Sequence, residues 1–249
     1  MKEKELRGWV YTGKQLDDLL DMSETAYIYV PVKLISEKYL PYAGRIIILP
    51  PEYLADCEEK VRAVLEKMYT LGFRHALAHT VGHIELLSHI GFTMHGGSRL
   101  NVTNSETVRF LADQGLVDLI VSPELTVKRI NRLDKPVSVG FLAYGKLPLM
   151  LNRRCPIADG KPCGKENCGH HITDRKGNEL DVICSDNTVE ILNRDVLILS
   201  DRLQDFDTDF AVLRFTTEKE VKQVMNAYMN NRSVDAEKFT RGLYYRGVD

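Results

Sequence analysis

Short apolar runs alternate along the chain with longer segments in which apolar residues recur every three or four positions. The runs at 27–30, 45–49, 74–78, 93–95, 119–121, 137–143, 196–199 and 211–214 are rich in β-branched residues and bounded by Gly, Pro or polar residues, which predicts strands. Helices are predicted between them. Pro50-Pro51 precedes a segment with Leu54, Val61, Leu65 and Met68 on one face. Thr103 with Glu106, and Thr217 with Glu220, have capping-box spacing, and Ser122-Pro123 reads as an N-cap followed by a first-turn proline. Alternation of this kind predicts a parallel sheet with helical crossovers. Eight units predict an α/β fold of the (β/α)8 TIM-like barrel type, irregular where its first two strands are weakly patterned. One stretch breaks the rhythm. Residues 151–185 are too many for an ordinary connection and are predicted as an insertion between strands six and seven, on the side where strands end. Its tail has a hairpin pattern, with Arg175-Lys176-Gly177-Asn178 at the turn. No repeat, linker or low-complexity segment interrupts the rest, so residues 1–249 read as one barrel domain.

Composition adds bounds. The 249 residues are 44% hydrophobic and 27% charged, enough for a sizeable core. A formal net charge of −2 argues against a global electrostatic footprint for nucleic acid. Arg153, Arg154, Lys161 and Lys165 form either a local basic patch or a solvated loop. No apolar stretch has the length of a membrane span. The charged start MKEKELRG with no apolar segment behind it leads us to expect no signal peptide and a cytoplasmic location.

The chemistry concentrates in the insertion. Four of five cysteines form the series Cys155-x7-Cys163-x4-Cys168-x15-Cys184, and Cys57 stands apart as a plain core thiol. The cluster implies a tetrathiolate metal site or a pair of disulfides, and a reducing compartment favours the metal site. Four thiolates suit zinc or an iron–sulfur cluster. Zinc knuckles bring tighter pairs than Cys163 and Cys168, while Cys155-Pro156 is similar to the Cys-Pro step of bacterial ferredoxin loops. Spacing alone leaves both metals open. His170 and His171 adjoin Cys168 and are candidates for supporting or ligating roles.

Other constellations are weaker. HTVGH (79–83) lacks the Glu of a zincin helix, so His75, His79 and His83 read as surface or strand-end histidines. No nucleophile elbow follows a strand. In a barrel the reacting groups lie beyond strand C-termini. By that rule His95, Asn101, Glu124 and Tyr144 are candidate catalytic residues. Each has a structural reading too: Glu124 at a helix N-terminus, Asn101 in a turn, Tyr144 as a packed aromatic. Arg154 and Arg241 are candidate binders of an acidic substrate, because a guanidinium pairs bidentately with carboxylate.

A set of segments occurs in one family in this order: HGGSRLNVTNSE (95–106), SPEL (122–125), YGKLPLMLNRRCP (144–156), ITDRKGNELDV (172–182), EILNR (190–194) and TRGLYYRGV (240–248). From about Trp9 onward the chain resembles the collagenase-like peptidases of family U32, and specifically the barrel-like second half of its long members. The resemblance implies that an N-terminal half, or a partner subunit of the same family, completes such proteins. It implies two activities. Some members are reported as collagen-degrading hydrolases. Others resemble oxygen-independent hydroxylation proteins acting on an RNA base or a ubiquinone precursor, with prephenate as oxygen source and a 4Fe–4S cluster on four cysteines. Carried over by motif, those ligands are Cys155, Cys163, Cys168 and Cys184, which moves iron–sulfur ahead of zinc. The expected function is thus iron–sulfur hydroxylation of a small acidic or planar substrate or an RNA base. The alternatives are a collagenase-like peptidase and a non-catalytic module with a structural metal site.

Overall fold

In the computed structural model, which describes residues 4–158, 171–185, 188–234, 236 and 238–247, eight parallel strands close into a barrel. In chain order the elements are β1 (Glu5–Trp9), α1 (Gly13–Leu20), β2 (Ile28–Pro31), β3 (Ile46–Leu49), α2 (Glu58–Leu71), β4 (His75–Ala78), α3 (Val81–Ile90), β5 (Thr93–Gly96), α4 (Ser105–Asp113), β6 (Leu116–Ile120), α5 (Val127–Asn131) and β7 (Ser138–Gly145). Then follow β8 (Pro148–Asn152), β9 (His171–Thr173), β10 (Glu179–Ser185), β11 (Thr188–Leu192), β12 (Val196–Ile198), β13 (Phe210–Arg214), α6 (Val221–Met229) and β14 (Phe239–Thr240). The barrel runs β1 through β7 and then β13, which pairs in parallel with both β7 and β1 and so closes the ring. Strands such as β3, IIIL, are buried on both faces, as parallel strands between a filled interior and an outer layer of helices must be. Among the described residues no helix is long and apolar enough to cross a membrane.

The TIM-like barrel expected from the strand–helix rhythm is therefore present, with one exchange of members. β1 was not among the predicted strands, whereas 196–199 was counted as a barrel strand. The observed β12 instead runs antiparallel along the end of β7, with β14 beside it. β1 escapes a hydrophobicity reading because its sequence, ELRGW, turns Arg7 into a barrel interior that is itself polar. The insertion follows 137–143 as expected, but that strand is the seventh of the barrel. Helix starts also differ. α4 is capped by Asn104, whose side chain accepts from Thr107 N–H, and α5 begins after Thr126 rather than at Ser122.

The insertion folds as an antiparallel sheet in the order β8-β11-β10-β9. Its hairpin turns where expected. The Asp174 carboxylate accepts from the backbone N–H groups of Lys176 (2.7 Å) and Asn178 (2.9 Å). Cys155, Val182, Val189 and Ile191 form a small apolar cluster within this sheet, separate from the barrel core, while Ile183 and Leu192 tie the sheet to that core.

Candidate active site at the barrel mouth

The C-terminal ends of the strands and the loops beyond them carry a buried polar cluster. Trp9 ends β1 and Arg214 ends β13; Tyr11, Glu52, His79 and Arg99 follow β1, β3, β4 and β5. Glu190, on β11, reaches the cluster from the insertion. One Glu190 oxygen accepts from Arg99 Nη2 (2.5 Å); the other takes Arg214 Nη2 and lies 3.3 Å from the Tyr11 hydroxyl. Tyr11 OH is also in contact with Arg214 Nη2. Arg99 Nε sits 2.7 Å from Glu52, and His79 Nε2 lies 4.0 Å from the same carboxyl group. Gln15 anchors this rim. Its amide oxygen accepts from Tyr11 N–H and Thr12 N–H, and its amide nitrogen donates to the Thr216 and Glu218 carbonyls across the barrel seam.

Electrostatics separates the two carboxyl groups. Burial works against ionisation of Glu190, but Arg214 and Arg99 outweigh it and hold its pKa below the usual range. Burial dominates at Glu52, whose single close arginine does not compensate, and its pKa is pushed up to about 7. Burial, with His83, Arg99 and Arg214 nearby, drives His79 well below the usual histidine range, so it is neutral. The cluster encloses a cavity of about 10 Å³, the room one water needs, bordered by Trp9, His79, Arg99, Glu190 and Arg214. Trp9 Nε1 and His79 Nδ1 are buried there with no hydrogen-bond partner among the described residues. Gly97 keeps the imidazole accessible: a Cβ at that position would stand 2.7 Å from His79 Nδ1.

His83 supports this arrangement from behind. Its Nε2 donates to the Pro51 carbonyl (3.1 Å), and its Nδ1 accepts from His79 N–H (3.2 Å). Burial lowers its pKa to about 4. A histidine with a depressed folded pKa contributes stability that is present above its unfolded value of 6.5 and lost as pH falls toward 4. His79 acts in the same direction. Glu52 opposes them: with its folded pKa raised from 4.5 to about 7, its contribution is lost as pH rises through that window. Two histidines outweigh one carboxyl. Stability is expected to fall as pH drops from 6.5 toward 4.5. Urea unfolding at several pH values measures this, and His83→Gln should flatten the slope by about one proton. An unchanged slope in that variant would mean His83 is not buried neutral in solution.

A second polar chain fills the barrel below the mouth. Arg7 Nη1 donates to Asp118 (2.7 Å) and Tyr29 OH (3.1 Å). The same Asp118 oxygen takes His95 Nδ1 (2.8 Å), and His95 Nε2 meets His75 Nδ1 (3.0 Å). Burial raises the cost of ionising Asp118, yet His95 and Arg7 hold its pKa low.

The expected site residues are thus dispersed. His95 lies inside the barrel as part of this chain, not at the rim, because strand alternation turns it inward one residue before β5 ends. Asn101 is exposed in a left-handed turn (φ 51°), and Glu124 is exposed in a turn beside Ser122. Tyr144 packs outside the barrel wall against Phe215 and Tyr228. Arg154 is exposed on the insertion. Arg241 is committed to Asp201 (2.9 Å) and the Ile198 carbonyl (2.7 Å). None of these six borders the cavity. Of the residues that do, Arg99, Glu190 and Arg214 were overlooked: Arg99 and Glu190 stood within HGGSRLN and EILNR, and Arg214 ended a predicted strand. His79, read as a surface or strand-end histidine, follows β4 but is buried, as is His83. Of the cysteine set, Cys155 is buried and Cys184 half-buried at the same apolar cluster. Cys163, Cys168 and His170 lie outside the described residues, and His171 is exposed beside Glu179 (3.4 Å). Cys57, at the start of α2, donates to the Tyr53 carbonyl (3.0 Å).

Comparison with known proteins adds three findings. No curated protein matches the chain. A solved structure described as the U32 peptidase Mk0906 shares the fold, with a TM-score of 0.50 at 12% identity, over 88% of this chain and 95% of that one. Residues 53–170, from the β3–α2 loop into the insertion, match the family described as peptidase family U32. Over that segment, just under half of the chain, the sequence is similar to peptidase family U32, and the barrel fold is shared with the solved structure.

Proposed function

We propose that this chain is an enzyme that binds a small acidic substrate at the barrel mouth and assists its reaction through Glu52 and His79, beneath an insertion whose cysteines hold a 4Fe–4S cluster. The observation that carries this reading is the cavity itself. It gathers two arginines and two buried polar nitrogens without a partner among the described residues, and Glu52, with a pKa near neutrality, lies 2.7 Å from one of those arginines, Arg99. A buried polar group without a partner needs an explanation, and a ligand that takes the free position is one. Glu52 can hold or take up a proton near pH 7. Neutral His79 and the Trp9 N–H are positioned to hydrogen-bond a ligand in the cavity, and Arg99 and Arg214 to orient its charge.

The cluster is supported by the donor chemistry. Cys155 and Cys184 are thiols brought to one water-poor patch of the sheet that covers the mouth. The same thiols suit zinc, so metal content decides between them. When bound, an iron–sulfur cluster supplies one-electron redox or Lewis-acid chemistry. Prephenate, the oxygen donor that the family resemblance implies, carries two carboxylates and is the first ligand to titrate.

The test is anaerobic purification with iron, sulfide and zinc assays, followed by turnover of Glu52→Gln. The variant is expected to bind prephenate but to lose about 10²–10⁴ in rate. Cys155→Ser and Cys184→Ser are expected to lose iron. Full activity in Glu52→Gln would remove the acid–base role, and stoichiometric zinc without iron would remove the cluster.

One observation favours hydrolysis, the activity in the family name: Ser98 borders the same cavity as His79. Against it, His79 is a weak base and its Nδ1 takes no hydrogen bond from Ser98. Gelatin cleavage that survives Cys155→Ser but not Ser98→Ala would establish the peptidase reading.

A further inference from the structure

We propose that Glu190 fills a carboxylate receptor built by the barrel, and that an acidic ligand enters by displacing it. The inference rests on reading the mouth as the active site, and adds how that site is occupied and opened. Among the described residues every donor to the Glu190 carboxylate belongs to the barrel: Arg99 beyond β5, Arg214 at the end of β13 and Tyr11 beyond β1. The insertion supplies only the acceptor. Withdrawing that one side chain leaves two guanidinium groups converging on a single vacated position, with Glu52 titrating beside them. Paired guanidinium groups match the two oxygens of a carboxylate.

Two observations distinguish this from a tether between insertion and barrel. The first is the pair of nitrogens on the same cavity, Trp9 Nε1 and His79 Nδ1, that have no partner among the described residues, on side chains only 4% and 2% exposed. Glu190 satisfies the arginines but reaches neither nitrogen. A ligand larger than a glutamate side chain, carrying polar groups beyond its carboxylate, would satisfy both. The second is volume. About 10 Å³ admits a water and no substrate, and Glu190 with Pro148 is what the insertion contributes to the wall. Space therefore opens in the same movement that frees the receptor. A tether alone would be served as well by apolar contact, since a buried ion pair is a poor source of net stability.

The experiment compares the wild-type protein with Glu190→Ala and Glu190→Gln, by calorimetric titration with acetate, succinate and inorganic phosphate. Glu190→Ala is expected to bind acetate at least about tenfold more tightly than the wild type, and adding Arg99→Ala should abolish the gain. Glu190→Gln keeps the side-chain volume and removes the competing charge, so it should gain affinity for succinate even if the alanine variant does not fold. A folded Glu190→Ala protein with no gain for either carboxylate, or a Glu190→Gln protein with no gain for succinate, would overturn the proposal. So would tenfold tighter binding of phosphate than of acetate, which would reassign the receptor. These titrations need neither turnover nor a cluster. Full activity of Glu52→Gln together with acetate binding by Glu190→Ala would remove the catalytic reading and leave the receptor standing.

Discussion

Arg214→Ala is expected to destabilise the folded protein by about 3–5 kcal/mol, the range for breaking a buried charge pair from one side. Arg214 is 3% exposed. Its guanidinium holds Glu190 and Tyr11, donates to the Lys146 carbonyl (2.9 Å), and lies 5.0 Å from the Tyr11 ring centre. Its loss leaves the Glu190 carboxylate buried with Arg99 as its remaining cation, and the lowered pKa of Glu190 rises toward that of a desolvated acid. Removing both partners should cost less than the sum of the single changes by more than about 1 kcal/mol, because no uncompensated carboxylate remains. Arg241→Ala is the control. Its ion pair with Asp201 is partly exposed to solvent, and the expected loss is about 0–1 kcal/mol. Urea unfolding followed by circular dichroism measures all four variants. A loss at Arg214 no larger than at Arg241 would show that the mouth network does not form in solution.

Gly145→Ala is expected to cost about as much, for a different reason. Gly145 ends β7 with φ 110°, and a Cβ there would sit 2.0 Å from the Arg214 carbonyl oxygen. That obstacle is backbone and cannot rotate away, so β7 and β13 must part at the seam that closes the barrel. A positive φ costs a non-glycine residue roughly 1–2 kcal/mol, and overpacking a further 1–3 or more. Gly177→Ala isolates the first contribution: its φ is 78° with nothing within 4 Å of the added carbon. Equal losses at the two positions would mean that the seam is looser than the structure describes. Because Gly145 also leads into the insertion, its variant should weaken the Arg214–Glu190 contact as well.

The barrel was legible in the sequence because burial is periodic. Runs such as 46–49 and 76–78 are buried on both faces, and helices such as α2 bury Val61, Leu65 and Met68 on one. Those patterns depend on neighbours a few residues apart, so they survive in the chain as written. The insertion and its Asp174–Asn178 turn were legible for the same local reason. β1 was not, since its inward Arg7 is satisfied by Asp118, 111 residues away. Nor was the site. The rule that reacting groups follow strands selected His95, Asn101, Glu124 and Tyr144, but the direction of each side chain depends on register and on where a strand stops. His95 turned inward and Tyr144 outward on that account.

The amino-acid sequence by itself determined the alternation of elements, the place of the insertion and the clustering of thiols within it, all of which follow from spacing along the chain. The tertiary structure alone decided which charges meet. Arg99 and Glu190 are 91 residues apart, and Arg214 and Tyr11 are 203 apart. They come together only when β13 closes the ring and the insertion sheet folds over the mouth. Burial then makes charge pairing obligatory and raises the pKa of Glu52. Both effects depend on the exclusion of water, which no stretch of this chain accomplishes before the barrel is complete.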